Sequence, residues 1–178
     1  MNAPMIFVRG ASGAGKSTFA EEIRGPEDDA INCLIFETDN FFKDAVNNHD
    51  YHFNANLLKF AHNWNQGEVI RFARDCPTVP IVVANTFCQM WELKPYFEIA
   101  KMFNRSIFVF TLRTEHDNVH NVPDETVKKH RLGLQHFEMA DWVNDYPVIF
   151  HREILTDVES KYFSEKLHEK LKNEKFGV

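Results

Sequence analysis

Residues 10–17 read Gly10-Ala11-Ser12-Gly13-Ala14-Gly15-Lys16-Ser17, which fills every defined position of the pattern G-x-x-x-x-G-K-[ST]. The apolar run Met5–Arg9 precedes this stretch and the helical stretch Lys16–Ile23 follows it. That is the strand–loop–helix setting in which the pattern has physical meaning. Glycine lets the backbone curl until successive N–H groups face an anion. The helix that opens at Lys16 adds its own unpaired N–H groups and the positive end of its dipole. Ser12, Gly13, Ala14, Gly15, Lys16, Ser17 and Thr18 are therefore the expected nucleotide-binding residues. Lys16 places a mobile charge over the β- and γ-phosphates, and the Ser17 hydroxyl is a hard oxygen for magnesium. A glycine-rich turn of no chemical use would not need the Lys-Ser pair. The stretch implies a nucleoside triphosphate, ATP or GTP, with Mg2+.

Working outward, five apolar segments read as strands: Met5–Arg9, Cys33–Phe36, Val79–Val83, Ser106–Leu112 and Pro147–Phe150. The first four are nearly continuous runs rich in Val, Ile and Phe, as suits parallel strands covered on both faces. Amphipathic stretches alternate with them at Lys16–Ile23, Asn56–Arg74, Leu93–Phe103 and Pro123–Ala140. Pro123, followed by Asp124 and Glu125, is a first-turn signal. The alternation predicts an α/β fold, an open doubly wound parallel sheet of about five strands with helices on both faces. From Ile154 to Phe176, the residues Leu155, Val158, Tyr162, Phe163, Leu167 and Leu171 recur at helical spacing and predict a helix on the outside of the sheet.

The 178 residues are 44% hydrophobic with 17 Phe, and the length favours a single domain over 1–178. No run approaches the roughly 20 apolar residues of a membrane span. The start shows neither a basic n-region nor a cleavage site, so no signal peptide is expected. Cys33, Cys76 and Cys88 have no metal-type spacing, and their odd number fits a reducing, cytoplasmic setting. The net charge of −6 argues against a protein that coats long stretches of nucleic acid, and leaves room for one that grips a single end.

In open sheets of this kind the ligand lies beyond the carboxyl ends of the strands. Asp39 follows the second strand, Asn85 and Thr86 the third, and Arg113 the fourth. All four are expected on the rim that holds residues 10–17. Asp39 is placed to accept a proton from an attacking hydroxyl, a role worth about 10²–10⁴ in rate. Thr38-Asp39-Asn40 is also good turn chemistry, so an Asx turn is the competing reading.

These residues together resemble the polynucleotide-kinase-like P-loop domains, and the resemblance covers roughly residues 5–140. Four stretches carry it: Arg9-Gly10 through Ser17-Thr18-Phe19-Ala20; Glu37-Thr38-Asp39-Asn40-Phe41-Phe42; Tyr51-His52-Phe53 with Leu57 and Ala61-His62; and Asn85-Thr86 with Trp91-Glu92-Leu93-Lys94-Pro95-Tyr96. The resemblance implies the P-loop kinase fold and phosphate transfer from ATP, with magnesium, to the 5′-hydroxyl of DNA or RNA. It places the family's catalytic base on Asp39 and substrate contacts on Asn85 and Thr86. Two departures stand out. The family's D-N-T-N type sequence reads Ala84-Asn85-Thr86-Phe87, and Asp117 falls where the lid arginine is expected. Losing such an arginine costs about 10³–10⁵ in turnover unless another cation replaces it. Arg113 is the nearest substitute, with Lys128 and Arg131 on the following helix as others.

His116-Asp117-Asn118-Val119-His120 is a poor zinc motif, because Asp replaces Glu and the two asparagines, Asn118 and Asn121, disfavour a helix there. His62 reads as a hydrogen-bonding group more than a catalyst. Phe41, Phe42, Tyr51 and Phe53 could stack on a base, although core packing accounts for at least half of them. Residues 40–50 read as a loop near the acceptor. Three functions compete on these grounds: a kinase of nucleic-acid 5′ ends, a kinase of a small metabolite, nucleoside or nucleotide, and a nucleotide-binding protein with little turnover.

Overall fold

A strand with an unbroken apolar run must be covered on both faces; β1 (Asn2–Gly10) carries such a run over residues 3–8 and is buried along almost its whole length. In the computed structural model, which describes residues 2–45, 53–116, 122–139, 141–174 and 176, β1 lies at the centre of the sheet. The remaining strands are β2 (Leu34–Phe36), β3 (Ile81–Asn85), β4 (Arg105–Leu112) and β5 (Val148–Ile154). Their order is β2-β3-β1-β4-β5, and every pairing is parallel. The helices are α1 (Lys16–Arg24), α2 (Leu58–Asp75), α3 (Lys94–Met102), α4 (Asp124–Gly133) and α5 (Asp157–Asn173).

Alternation along β1 sorts the core into two layers. Met5 and Phe7 join Val69 and Ala73 of α2 and Phe97, Ile99 and Ala100 of α3. Ile6 and Val8 join Phe19, Ala20 and Ile23 of α1 and Leu167 and Leu171 of α5. The chain thus leaves β1 towards one face and β3 towards the other, although the two strands are neighbours. Their carboxyl ends therefore form a topological switch point, the place where open sheets of this kind bind ligands. Helix α4 lies at this rim and touches Ser12, Cys88 and Gln89.

At the opposite end of the sheet Arg105 is fully buried. Its Nη1 donates to the carbonyls of Ala3 and Val79, both at 2.9 Å, and its Nη2 to those of Ala73 (3.1 Å) and Cys76 (2.7 Å). The last two belong to the end of α2, whose final carbonyls have no partner within the helix.

The structure corrects several sequence-based boundaries. β3 runs over Ile81–Asn85 instead of Val79–Val83, since Pro80 has no N–H for the ladder. The helix predicted to reach Ala140 stops at Gly133, where Leu134 turns extended, and two short 3₁₀ turns, Phe137–Met139 and Asp141–Asp145, follow. The loop expected from residue 40 opens with a π-helical turn over Phe41–Ala45. Of the α5 stripe, Leu167 and Leu171 are buried, while Leu155, Val158 and Tyr162 face solvent. Ile154, read as the start of that stripe, is instead the buried last residue of β5.

Candidate functional site

The glycines of residues 10–17 are used for two separate reasons. Gly13 and Gly15 have φ values of 77° and 78°, a left-handed conformation that side chains resist. A Cβ on Gly10 would lie 2.6 Å from the carbonyl oxygen of Leu112, so only glycine lets the loop sit this close to β4. The loop is pinned through its carbonyls. Ala14 N donates to Ala11 O (3.2 Å), His116 N to Gly13 O (2.8 Å), Thr114 Oγ1 to Ala14 O (2.8 Å) and Phe19 N to Gly15 O (2.9 Å). Among the described residues the amides of Gly13, Gly15, Lys16 and Ser17 have no acceptor. A bent backbone with its carbonyls engaged and these donors open, at the start of a helix, is a cradle for an anion.

Lys16 folds back over this cradle and donates to Ala11 O at 2.8 Å. Burial pushes its ammonium down from the ordinary lysine range, and the negative charges of Asp39 and then Glu37 act in the opposite direction. Those two carboxylates therefore lie within electrostatic reach of Lys16. Ser17 and Thr18, one step further along α1, are exposed.

The turn that carries Asp39 is held by main-chain bonds: Asn40 N to Glu37 O, Phe41 N to Thr38 O and Phe42 N to Asp39 O, each 3.1 Å. Among the described residues the Asp39 carboxylate takes no hydrogen bond in this turn, which leaves the Asx reading without its defining contact. Asn85 fixes the turn from the end of β3, its Oδ1 accepting from Thr38 N at 2.8 Å. Asn85 Nδ2 and Thr38 Oγ1 are buried and lack partners among the described residues. Buried donors of that kind cost about 1–3 kcal/mol when nothing meets them, so this corner suits a polar ligand or water. Thr86 contributes its carbonyl, which accepts from Gly10 N at 3.1 Å and ties the β3 turn to the loop.

Arg113 is brought to the rim but is engaged there. Its guanidinium grips Glu153 of β5 through Nε–Oε2 (3.1 Å) and Nη2–Oε1 (2.9 Å) and also reaches Leu134 O at 3.4 Å. Hydrogen bonding to Arg113 holds the Glu153 carboxyl below the usual carboxylate range. Arg131 pairs with Glu115 at 3.1 Å, and Lys128 is exposed. Asp117 and His120, like Tyr51 and His52, lie outside the described residues.

Some functional neighbours were not singled out from sequence. Arg9, fully buried beneath the rim, donates to Phe87 O (3.0 Å), Cys88 O (3.2 Å) and Met90 Sδ (3.3 Å). It thereby braces a turn in which Phe87 has a φ of 41°, a conformation that costs a non-glycine residue on the order of 1–3 kcal/mol. His130 Nδ1 lies 3.2 Å from Ser12 Oγ. The signal for it was available: His130 follows Val127 by three positions, on the buried face of α4, whereas Lys128 and Arg131 fall on the exposed one. Phe42 is fully buried, and Phe41 stacks on Trp64 at 5.8 Å, so packing accounts for these two rings, while Phe53 is 56% exposed.

Comparison with known proteins agrees with this fold. A stretch of 97 residues, 54% of this chain, is 33% identical to human NEDD4-binding protein 2 and spans 5% of that protein's length. The fold is similar to Kti12 from Chaetomium thermophilum in complex with ADP-AlF3 (TM-score 0.60, 12% identity, 98% of this chain and 100% of that one). It is also similar to shikimate kinase from Acinetobacter baumannii in complex with shikimate (TM-score 0.52, 13% identity, 95% and 90%). The five-stranded parallel sheet with helices on both faces is the P-loop kinase fold. The AAA domain pattern AAA_33 matches residues 5–127, which take in the glycine loop, the Asp39 turn and the start of α4. The chain belongs to that family of P-loop nucleoside-triphosphate-binding proteins and kinases.

Proposed function

We propose that this chain transfers the γ-phosphate of ATP to an alcohol, and that its acceptor is the 5′-hydroxyl of a nucleic-acid end. One arrangement carries the reading: Lys16 follows β1 and Asp39 follows β2 at the same end of the sheet, within electrostatic reach of each other, and among the described residues the turn that holds Asp39 leaves its carboxylate oxygens without a hydrogen bond. A phosphate-binding cation and an uncommitted base thus share one rim. Asp39 takes the proton of the attacking hydroxyl. The acceptor oxygen bonds to the γ-phosphorus as the bond to the β–γ bridging oxygen breaks, and Lys16 offsets charge on the β- and γ-oxygens. The Ser17 hydroxyl would hold magnesium, which would offset charge on the phosphate oxygens. Ala84 offers no oxygen side chain at the end of β3, and among the described residues no group of three or more His, Cys, Asp or Glu is gathered for a metal.

The nucleic-acid assignment rests on the resemblance of Glu37–Phe42 and Trp91–Tyr96 to polynucleotide-kinase-like domains. Phe53, packed on Phe42 and 56% exposed, and Trp91, 68% exposed, offer rings near the same rim on which a base can stack. Asn85 and Thr86 are the substrate-side polar groups. A second reading, nucleotide binding with little turnover, draws on the pairing of Arg113 with Glu153 and Arg131 with Glu115. Labelled ATP offered with 5′-hydroxyl DNA, RNA, nucleosides, nucleotides and small sugars separates the readings. Label on oligonucleotide ends is the expected result. Label on small acceptors alone would make this a small-molecule kinase. ATP binding without transfer to any acceptor would select the second reading.

A further inference from the structure

Among the described residues the lid side of this site offers no unpaired arginine, because Arg113 is gripped by Glu153 and Arg131 is held by Glu115. A different basic group already touches the phosphate cradle. His130 of α4 is half-buried, with Nδ1 3.2 Å from Ser12 Oγ, and its Nε2 has no partner among the described residues. Its position is fixed on two sides. Its own carbonyl accepts from Cys88 Sγ at 3.6 Å, and one turn further on Gly133 O accepts from Gln89 Nε2 at 3.0 Å.

We propose that His130 is the lid-side cation of this site, taking up a proton from solvent when the triphosphate binds and joining Lys16 on the phosphate chain. The proposal rests on the reading of residues 10–17 as a triphosphate cradle. In the free protein the ring is held below the ordinary histidine range, first by burial, then by the charge of Lys16 across the loop. Lys129 on its own helix adds to this, while Glu92, from the short helix after β3, opposes it. A phosphate chain in the cradle outweighs Lys16 and reverses the sign of the local field, so the bound ring holds its proton to higher pH than the free one. The sign of the pH dependence follows. The extra affinity is complete below the free-state value, which lies under the ordinary 6.5, and it disappears as pH rises through the higher bound-state value. Each unit of separation corresponds to about tenfold in affinity.

Calorimetric titration with ATP in excess magnesium, in buffers of equal pH and different ionisation enthalpy, tests this without reference to turnover. The wild-type protein is expected to take up part of a proton near pH 6.5 and to lose affinity between pH 6 and pH 8. His130→Gln, which keeps a polar group beside Ser12 but cannot be protonated, is expected to lose the uptake and to show a flat profile. His116→Gln is the control, because a Cβ on Gly15 would lie 3.2 Å from the His116 ring. It should retain the uptake. Binding by the wild-type protein without proton uptake, uptake that survives His130→Gln, or uptake abolished by His116→Gln alone would each overturn the proposal. Failure of the wild-type protein to bind ATP at all would instead overturn the reading of the cradle beneath it.

Discussion

Each end of the sheet holds a fully buried arginine, and the two ends use it differently. Arg9 and Arg105 are both pushed down to about 10, in each case chiefly by burial. Neither hydrogen-bonds a carboxylate; both donate to main-chain carbonyls. Arg105 meets Ala3, Ala73, Cys76 and Val79 and closes its end, where β1, the end of α2 and the approach to β3 converge. Arg9 braces a strained turn, and around it polar groups are left open: the amides of the cradle, Asn85 Nδ2, Thr38 Oγ1 and the Asp39 carboxylate. The lesson is that one device, a desolvated guanidinium on carbonyls, closes one end of the sheet and braces a rim of open polar groups at the other.

The largest effect is expected at the closed end. Arg105→Met leaves the carbonyls of Ala3, Ala73, Cys76 and Val79 without that donor and should lower the unfolding free energy by about 3 kcal/mol. Urea denaturation measures this, and ATP affinity per folded molecule should not change. A loss of affinity without a loss of stability would break the contrast. At the open end Lys16→Ala should reverse the pattern. Affinity for magnesium-ATP falls by about 10- to 10²-fold, the scale of a charged hydrogen bond. Stability holds or rises, because burial penalises the Lys16 charge. Unaltered binding by the folded variant would remove the cradle from the account.

The smallest effect concerns Arg113. If its pairing with Glu153 is the ordinary half-exposed ion pair it resembles, Arg113→Gln lowers stability by under about 1 kcal/mol at neutral pH. The Glu153 carboxyl is depressed in the folded protein. Its contribution is therefore present above the ordinary carboxylate value and lost as pH falls through the depressed one. Thermal melts of both proteins across the acid range check this, and the two curves should converge there. A large loss of phosphate transfer with little change in stability would instead place Arg113 in the chemistry.

Much of this contrast was legible in the sequence, for identifiable reasons. Residues 10–17 are local: strand, glycines, lysine and helix follow one another, so a linear pattern captures them. The two-layer core was also readable, because the apolar runs of β1 and β4 demand cover on both faces. Boundaries failed where one residue overrode the pattern, as Pro80 did for β3 and Gly133 for α4. The occupation of Arg113 was not readable. Its partner Glu153 is 40 positions away on β5, and only the pairing of β4 with β5 brings them together. Arg9 looked like the polar end of a strand, and its role depends on the turn that Phe87 makes after β3.

The most direct test of the central claim is Asp39→Asn, with ATP affinity and phosphate transfer measured on one preparation. The turn is held by main-chain bonds and by Asn85, so the substitution should leave the fold and the cradle intact. It removes only the carboxylate proposed to accept the proton. Affinity should stay within a few-fold of the parent, and transfer should fall by about 10² or more. Transfer at the parental rate from the Asp39→Asn protein would contradict the account, because the carboxylate would then be a feature of the turn alone.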